Sequence, residues 1–537
     1  MTSQTTVKSA PRDPRDADPG AAKGLRGHPW LTLFSVAIGV MMVALDGTIV
    51  AIANPVIKED LGATFAQVQW ITNGYLLALA VALITAGKLG DRFGHRQTFL
   101  IGIAGFAAAS AVIGFSDSVA FVVAFRVLQG VFGALLMPAA LGLLRATFPA
   151  EKLNMAIGIW GMVIGASTAG GPIVGGLLVE HVSWQSVFFV NVPVGVVALI
   201  LGLVILKDHR AAKAPKSFDV VGILLLSAAM FSLIWAIIKA GESWGWSSAG
   251  TWSFLGAAVL CFVLFAVWET KVKEPLVPLS MFRSIPLSAG VVLMVLMAFA
   301  FMGGLFFVTF YLQGVHGMSP VDSGLHLLPL TAMMIVSSPV AGMLITKFGP
   351  RVPLVGGMVC TAAAMFGMST LSPGSGTFVM SVWFLLLGMG LAPVMVGATE
   401  VIVGNAPLEL SGVAGGLQQA AMQVGGALGT AVLGAVMSAK VSSDLAGNWS
   451  DAGIQLPLDP KLEQAAEIGV APPELAQAPG MTPDVFDKIT GVMQDTFVSG
   501  MGLAFLVAGA VAVVAAFVAI KTKRGDNADA AGGGVHI

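Results

Sequence analysis

The chain has 537 residues, of which 56% are hydrophobic and 11% charged, and its mean hydropathy is +0.87. A water-soluble fold of that length cannot hide so much apolar surface, so the bilayer is the expected solvent. A net charge of −1 argues against a nucleic-acid partner, and Cys261 and Cys360, both within apolar runs, provide neither a disulfide framework nor a metal site.

The polar, arginine-bearing segment 1–29 reads as a cytoplasmic tail. No small-residue cleavage site follows the first apolar run, which is therefore expected to be an uncleaved first helix. Runs long enough to cross the hydrocarbon core recur at 30–54, 69–88, 98–116, 119–146, 155–180, 185–206, 218–239, 251–269, 287–312, 323–346, 353–371, 377–403, 413–438 and 497–520. With the N-terminus inside, 22 basic residues fall on inner segments and five on outer ones, with Arg126 inside a span. That bias predicts fourteen transmembrane helices with both termini cytoplasmic.

Segments 207–217 and 270–286, rich in lysine, proline and arginine, bracket one pair of helices. The predicted all-α organisation is a six-helix N-terminal half at 30–206, a linker at 207–286 carrying two additional helices, a six-helix C-terminal half at 287–521 and a cytoplasmic tail at 522–537. The hydrophilic stretch 439–496, acidic and rich in Pro, Ala and Gln, lies outside in this topology and reads as a mobile loop.

The loop after the second span, "GKLGDRFGHR" at 87–96, recurs after the tenth as "GMLITKFGPR" at 342–351. The shared frame is G-x-L-x-x-[R/K]-F-G-x-R in the same relative place within each half. Duplicated six-helix halves are the architecture of a secondary transporter whose site lies near the midplane between them. The alternative, that any short inner loop is basic and contains glycine, explains the charge but not the matched glycines, aromatic and arginine.

With these loops, "RVLQGVFGALLMPAA" at 126–140, "GASTAGGPIVGG" at 165–176, "LDGTIVAIANP" at 45–55 and "WQSVFFVNVPVG" at 184–195, the chain resembles the major facilitator superfamily. Within it, the resemblance is to the fourteen-helix drug:proton antiporters of bacteria. It covers nearly everything but the tails and the 439–496 stretch. It implies a major facilitator fold in the bacterial cytoplasmic membrane and a monomer whose partners are small-molecule cargo, protons and lipid. It also implies that Asp91 is the anionic and Arg92 and Arg96 the cationic members of a latch across the halves. The glycines of that turn, Gly87, Gly90 and Gly94, allow close backbone approach; of these, Gly87 and Gly94 are assigned to the gating loop with Asp91, Arg92 and Arg96. The second copy departs, with Thr346 where the first has Asp91.

In the fifth span, Gly165, Gly171, Gly175 and Gly176 let helices approach closely in lipid, and Pro172 weakens the hydrogen-bond ladder. By resemblance this is the exporter-type motif that seals the domain interface; ordinary glycine packing is the simpler reading. Three ionisable residues lie well inside spans: Asp46, Arg126 and Glu400. Each costs about 2.5–3.5 kcal/mol at a helix centre on insertion scales, so none is expected to face lipid. Asp46 lies in the outer half of a span running outward, and Arg126 in the outer third of one running inward, so the two share a depth. They are the candidate proton- or cargo-coupling pair, or else a permanent structural pair. Glu400, in the inner third of the twelfth span, is a second candidate coupling site or an inner-end charge. Gln129, Gln418, Gln419, Gln423, Met137, Met395 and Met422 are candidates to line a cavity.

No G-x-x-x-x-G-K-[S/T] phosphate loop and no HExxH cluster is present, so neither ATP hydrolysis nor a catalytic, cofactor or metal site is expected. The expected function is proton-driven export of bulky, largely apolar compounds such as drugs, dyes or a self-made antibiotic. The alternatives are a narrow exporter of one metabolite, amino acid or lipid, then a membrane-embedded enzyme or sensor.

Overall fold

The structure, a computed structural model, describes residues 25–523 apart from 64, 209–218, 241–243, 274, 408–409, 455, 459, 473–474 and 477–480. Among the described residues, fourteen helices are long and apolar enough to cross a membrane. In the N-terminal half these are α1 (Pro29–Asp60), α2 (Phe65–Phe93), α3 (His95–Gly114), α4 (Val119–Thr147), α5 (Ala150–His181) and a broken sixth span. The break separates a single turn, α6 (Ser186–Phe189), from α7 (Asn191–Ile205). The inserted pair is α8 (Val220–Lys239) and α9 (Ala249–Glu269). Each starts at a side-chain cap: Asp219 accepts from Gly222 N at 2.8 Å and Ser248 from Gly250 N at 3.1 Å.

The C-terminal half begins with α10 (Ile285–Phe310), which continues into a π turn over Tyr311–Val315. Then come the short α11 (Pro320–His326), α12 (Leu328–Phe348), α13 (Arg351–Met368), α14 (Thr377–Gly404), α15 (Ser411–Asp451), the short α16 (Pro460–Ala466) and α17 (Pro483–Ala519).

Two seams join the halves, α2 against α15 and α5 against α12. Each unites the second span of one half with the fifth of the other, as a duplicated architecture requires. Close backbone approach makes both seams. A Cβ on Gly416 would lie 2.6 Å from Leu83 O, and one on Gly158 2.8 Å from Ser338 O.

The hydrophilic stretch 439–496 differs from its sequence reading. Where it is described it is largely helical, because α15 runs on to Asp451 and α17 begins at Pro483. Val441, Leu445 and Trp449, four residues apart, are buried, as are Ile489 and Met493 on the facing helix. Asn448 Nδ2 bonds Thr496 Oγ1 at 3.0 Å, and Trp449 Nε1 bonds Leu456 O at 2.9 Å. A stripe only one residue wide per turn suffices to pair two helices, and burial of that stripe outweighs the weak helix propensity of the serines, glycine and asparagine between its members.

Candidate functional site

Asp46 of α1 and Arg126 of α4 meet in the outer half of the N-terminal bundle, with Arg126 Nη1 2.5 Å from Asp46 Oδ2. The other carboxylate oxygen, Oδ1, accepts from Gln129 Nε2 at 3.1 Å and from Asn191 Nδ2 at 2.8 Å. Both amides also donate to Ser110 Oγ, at 2.6 and 3.3 Å. The guanidinium has further anchors: Nη1 bonds Gln129 Oε1 at 2.8 Å, Nε bonds Ile71 O at 3.1 Å, and Cζ lies 4.0 Å from the Tyr75 ring centroid. Asp46, Arg126, Gln129 and Ser110 are wholly buried, and Asn191 and Tyr75 are 1% exposed.

The local causes are readable. Arg126 and Gln129, three apart on α4, share a face. The break after α6 places Asn191 at the start of α7, with Pro193 where a helix tolerates the missing N–H. Three hydrogen bonds reach the carboxylate, one of them from a cation, which offsets the desolvation of a buried charge.

The α5 glycines clasp the same turn of α1. A Cβ on Gly171 would land on the Thr48 hydroxyl, and one on Gly175 would lie 2.9 Å from Ile49 Cγ1. On the other side of α5, Gly165 faces Met334 of α12 and Gly176 faces Val321 of α11. Pro172 lies within α5, and its side chain is outside the described residues.

Glu400 is buried one turn from the inner end of α14. At ~1.5 Å per residue it lies roughly 6 Å from that end, whereas Asp46 lies about 25 Å from the inner start of α1. The structure therefore places Glu400 at a different depth from the ion pair. Gln418 is also buried away from it, its Nε2 directed at Met294 Sδ at 3.9 Å.

At the inner end, Asp91 accepts from Gly412 N at 2.8 Å and Val413 N at 3.0 Å. Leu410, at the cap position of α15, supplies no side-chain cap. Asp91 thus caps from one half a helix of the other, where the amides and dipole favour an anion. His95 Nε2 lies 3.3 Å from Asp91 Oδ1 and 3.2 Å from Ser411 Oγ. Gly87 packs on the Gly412 carbonyl, and Gly94, with φ of 100°, turns the chain between α2 and α3 as few other residues could. Arg96 Nη2 donates to Leu203 O at 3.1 Å within its own half, and Arg92 lies 5.3 Å from the Phe93 ring. Across the halves, Arg145 Nη2 also bonds Ala406 O at 2.7 Å and Asn154 Nδ2 bonds Thr346 Oγ1 at 3.4 Å. These bonds between the halves all lie on the inner side, so the inner end is closed.

Gln129 as a ligand of Asp46, and Ser110, Asn191 and His95 altogether, were not assigned to the site from sequence. The one usable signal was the spacing of Gln129 from Arg126.

Two six-helix halves, one of them holding a wholly buried ion pair, define a secondary transporter. The Major Facilitator Superfamily model matches residues 36–430, and the chain belongs to that family. It is 65% identical over 509 residues, 94% of each chain, to the tetracenomycin C resistance and export protein of Streptomyces glaucescens. It is 34% identical to the multidrug efflux pump LfrA of Mycolicibacterium smegmatis, over 78% of this chain and 82% of that one. Among solved structures, the human organic anion transporter MFSD10 superposes with a TM-score of 0.58 at 12% identity, over 91% of this chain and 99% of that one, a likeness of fold.

Proposed function

We propose that this protein is a proton-driven exporter in the bacterial cytoplasmic membrane, with tetracenomycin C or a compound of similar chemistry as its cargo and resistance as its effect. The cargo rests on the 65% identity spread over 94% of both chains. The coupling rests on one observation, the wholly buried Asp46–Arg126 pair.

The cycle follows from the partners. With Asp46 ionised, the carboxylate ties α1 to α4 and α7 through Arg126, Gln129 and Asn191. A proton from outside neutralises it, and the ion pair dissolves. Arg126 keeps the Ile71 carbonyl, Gln129 Oε1 and the Tyr75 ring, so the guanidinium stays and the α1 turn is released. That turn leans on Gly171 and Gly175, and α5 carries the displacement to its seam with α12. The inner latch then opens, cargo enters from the cytoplasm, the proton leaves there, and the reverse stroke exports the cargo. About 2.3 kcal/mol per charge per 100 mV gives ~3.5 kcal/mol per proton at ~150 mV. At 1.4 kcal/mol per decade, that sustains a gradient of roughly a few hundredfold for a neutral cargo.

The test is uncoupler-sensitive efflux of tetracenomycin C and of ethidium from energised cells, with Asp46→Asn, wild type and vector at matched expression. Loss of efflux in Asp46→Asn is expected. Uncoupler-sensitive efflux unchanged in the variant would reduce the pair to packing and shift the coupling role to Glu400. If wild type exports tetracenomycin C but not ethidium, the exporter is a narrow one.

A further inference from the structure

Of the two inserted helices, α8 packs against both α2 and α15 and carries α9 on its side, and the chain that follows them is fastened to that seam. Helix α9 ends at Glu269, a carboxylate at the unfavourable end of the helix dipole and only 5% exposed. Its oxygens accept from the backbone N–H of Leu276 and Val277, both at 3.2 Å, so the chain doubles back onto the helix end. Asp219, capping α8, takes the indole N–H of Trp268 at 2.8 Å and ties the two inner ends of the hairpin together. The turn held in this way presents Pro275 O to Lys88 Nζ at 2.7 Å. Lys88 is 4% exposed and stands between Gly87 and Asp91 of the latch. Leu276 and Val277, buried, join one apolar cluster with Ile84 of α2, Leu226 of α8, Phe265 of α9 and Val413 of α15. Val413 is one of the two residues whose N–H Asp91 caps.

We propose that the hairpin is a brace on the inner latch, with Lys88 and Glu269 as its positioning residues, and that it travels with α2 when the latch opens. The attachment to α2 includes a directional, charge-assisted hydrogen bond, whereas the shared contact with α15 is apolar and free to slide. Opening the inner end withdraws α15 from α2, so a body seated on both must part from one. Seating residues 275–277 beside Val413 covers apolar surface only while the latch is shut, and so favours the inner-closed state. This requires that the halves alternate, as the family does, and not that protons drive them.

The experiment reads the latch directly, without cargo. Leu141 of α4 is buried against Gly415 of α15 across the seam. In the full chain with Cys261 and Cys360 changed to serine, Leu141→Cys is labelled by a membrane-impermeant thiol reagent from the cytoplasmic side. Lys88→Met and Glu269→Gln are expected to speed labelling by roughly tenfold, the scale set by loss of one hydrogen bond to a charged group, with Lys88→Arg at the wild-type rate. Unchanged labelling in well-expressed Lys88→Met and Glu269→Gln would overturn the brace. Tethers decide which half it follows. A thiol-bridging link between Lys88→Cys and Pro275→Cys, formed before labelling, should leave Leu141→Cys open to the reagent, and one between Val277→Cys and Val413→Cys should prevent its labelling. The reverse pattern would overturn the assignment to α2. Because labelling does not need a proton gradient, failure here is separable from failure of the Asp46→Asn test.

Discussion

The two copies of the inner loop occupy pseudo-equivalent seams and do different work there. Gly87 and Gly342 begin the copies, and each packs on a backbone carbonyl of the opposite half, Gly412 O for the first and Asn154 O for the second. Four residues on, the copies diverge. Asp91 reaches across to two amides at the start of α15, whereas Thr346 Oγ1 turns back to Gly342 O at 2.9 Å and receives only a 3.4 Å bond from Asn154. Glycine sets the distance between the halves at both seams, and the carboxylate sets the strength of one.

Substitutions can break that asymmetry or sharpen it. The largest effect is expected from Gly87→Ala, whose Cβ collides with the Gly412 carbonyl and prevents closure. Export should be lost and Leu141→Cys should label from the cytoplasmic side at its maximal rate. Gly342→Ala, with its Cβ 2.6 Å from Asn154 O, should do the same at the other seam. Next is Asp91→Asn, which keeps the shape and removes the charge. Losing a charge-assisted cap costs about 1.5–3 kcal/mol, or roughly 10–100-fold in the closed-to-open ratio, read from the same labelling rate. Thr346→Asp should act in the opposite sense by giving the weak seam an anion near the start of α5. About 0.3–1 kcal/mol added to the closed state should raise the melting temperature in detergent and slow turnover by a few-fold. Thr346→Val is the smallest, within about 0.5 kcal/mol, and efflux should stay at the wild-type level. A large loss from Thr346→Val would show that the second seam is also a latch.

Much of this was legible beforehand because the bilayer imposes long apolar helices and penalises charge. The spans, the repeat and the shared depth of Asp46 and Arg126 all follow from those two constraints. Ser110 and Asn191 did not emerge because uncharged polar groups are tolerated in membrane helices. Nothing in the spacing along one helix states which neighbour it will meet. His95 was hidden differently, as an ordinary member of a basic loop whose partner, Ser411, is 316 positions away. The extensions of α15 and α17 were misread because average composition reports polarity and overlooks a stripe as narrow as Val441, Leu445 and Trp449.

Those extensions have a practical consequence. They lift a hydrophilic, internally bonded spur above the C-terminal bundle, held to it by Asn448–Thr496, by Ser499 Oγ to Asp444 Oδ2 at 3.0 Å, and by Gln494 Nε2 to Val315 O at 3.1 Å. All of these partners lie in the C-terminal half. The transporter therefore carries its own pointer. A spin label or antibody fragment on the spur, measured against a second mark on the outer loop after α3, would convert rocking of the two halves into a distance that can be followed through each stroke.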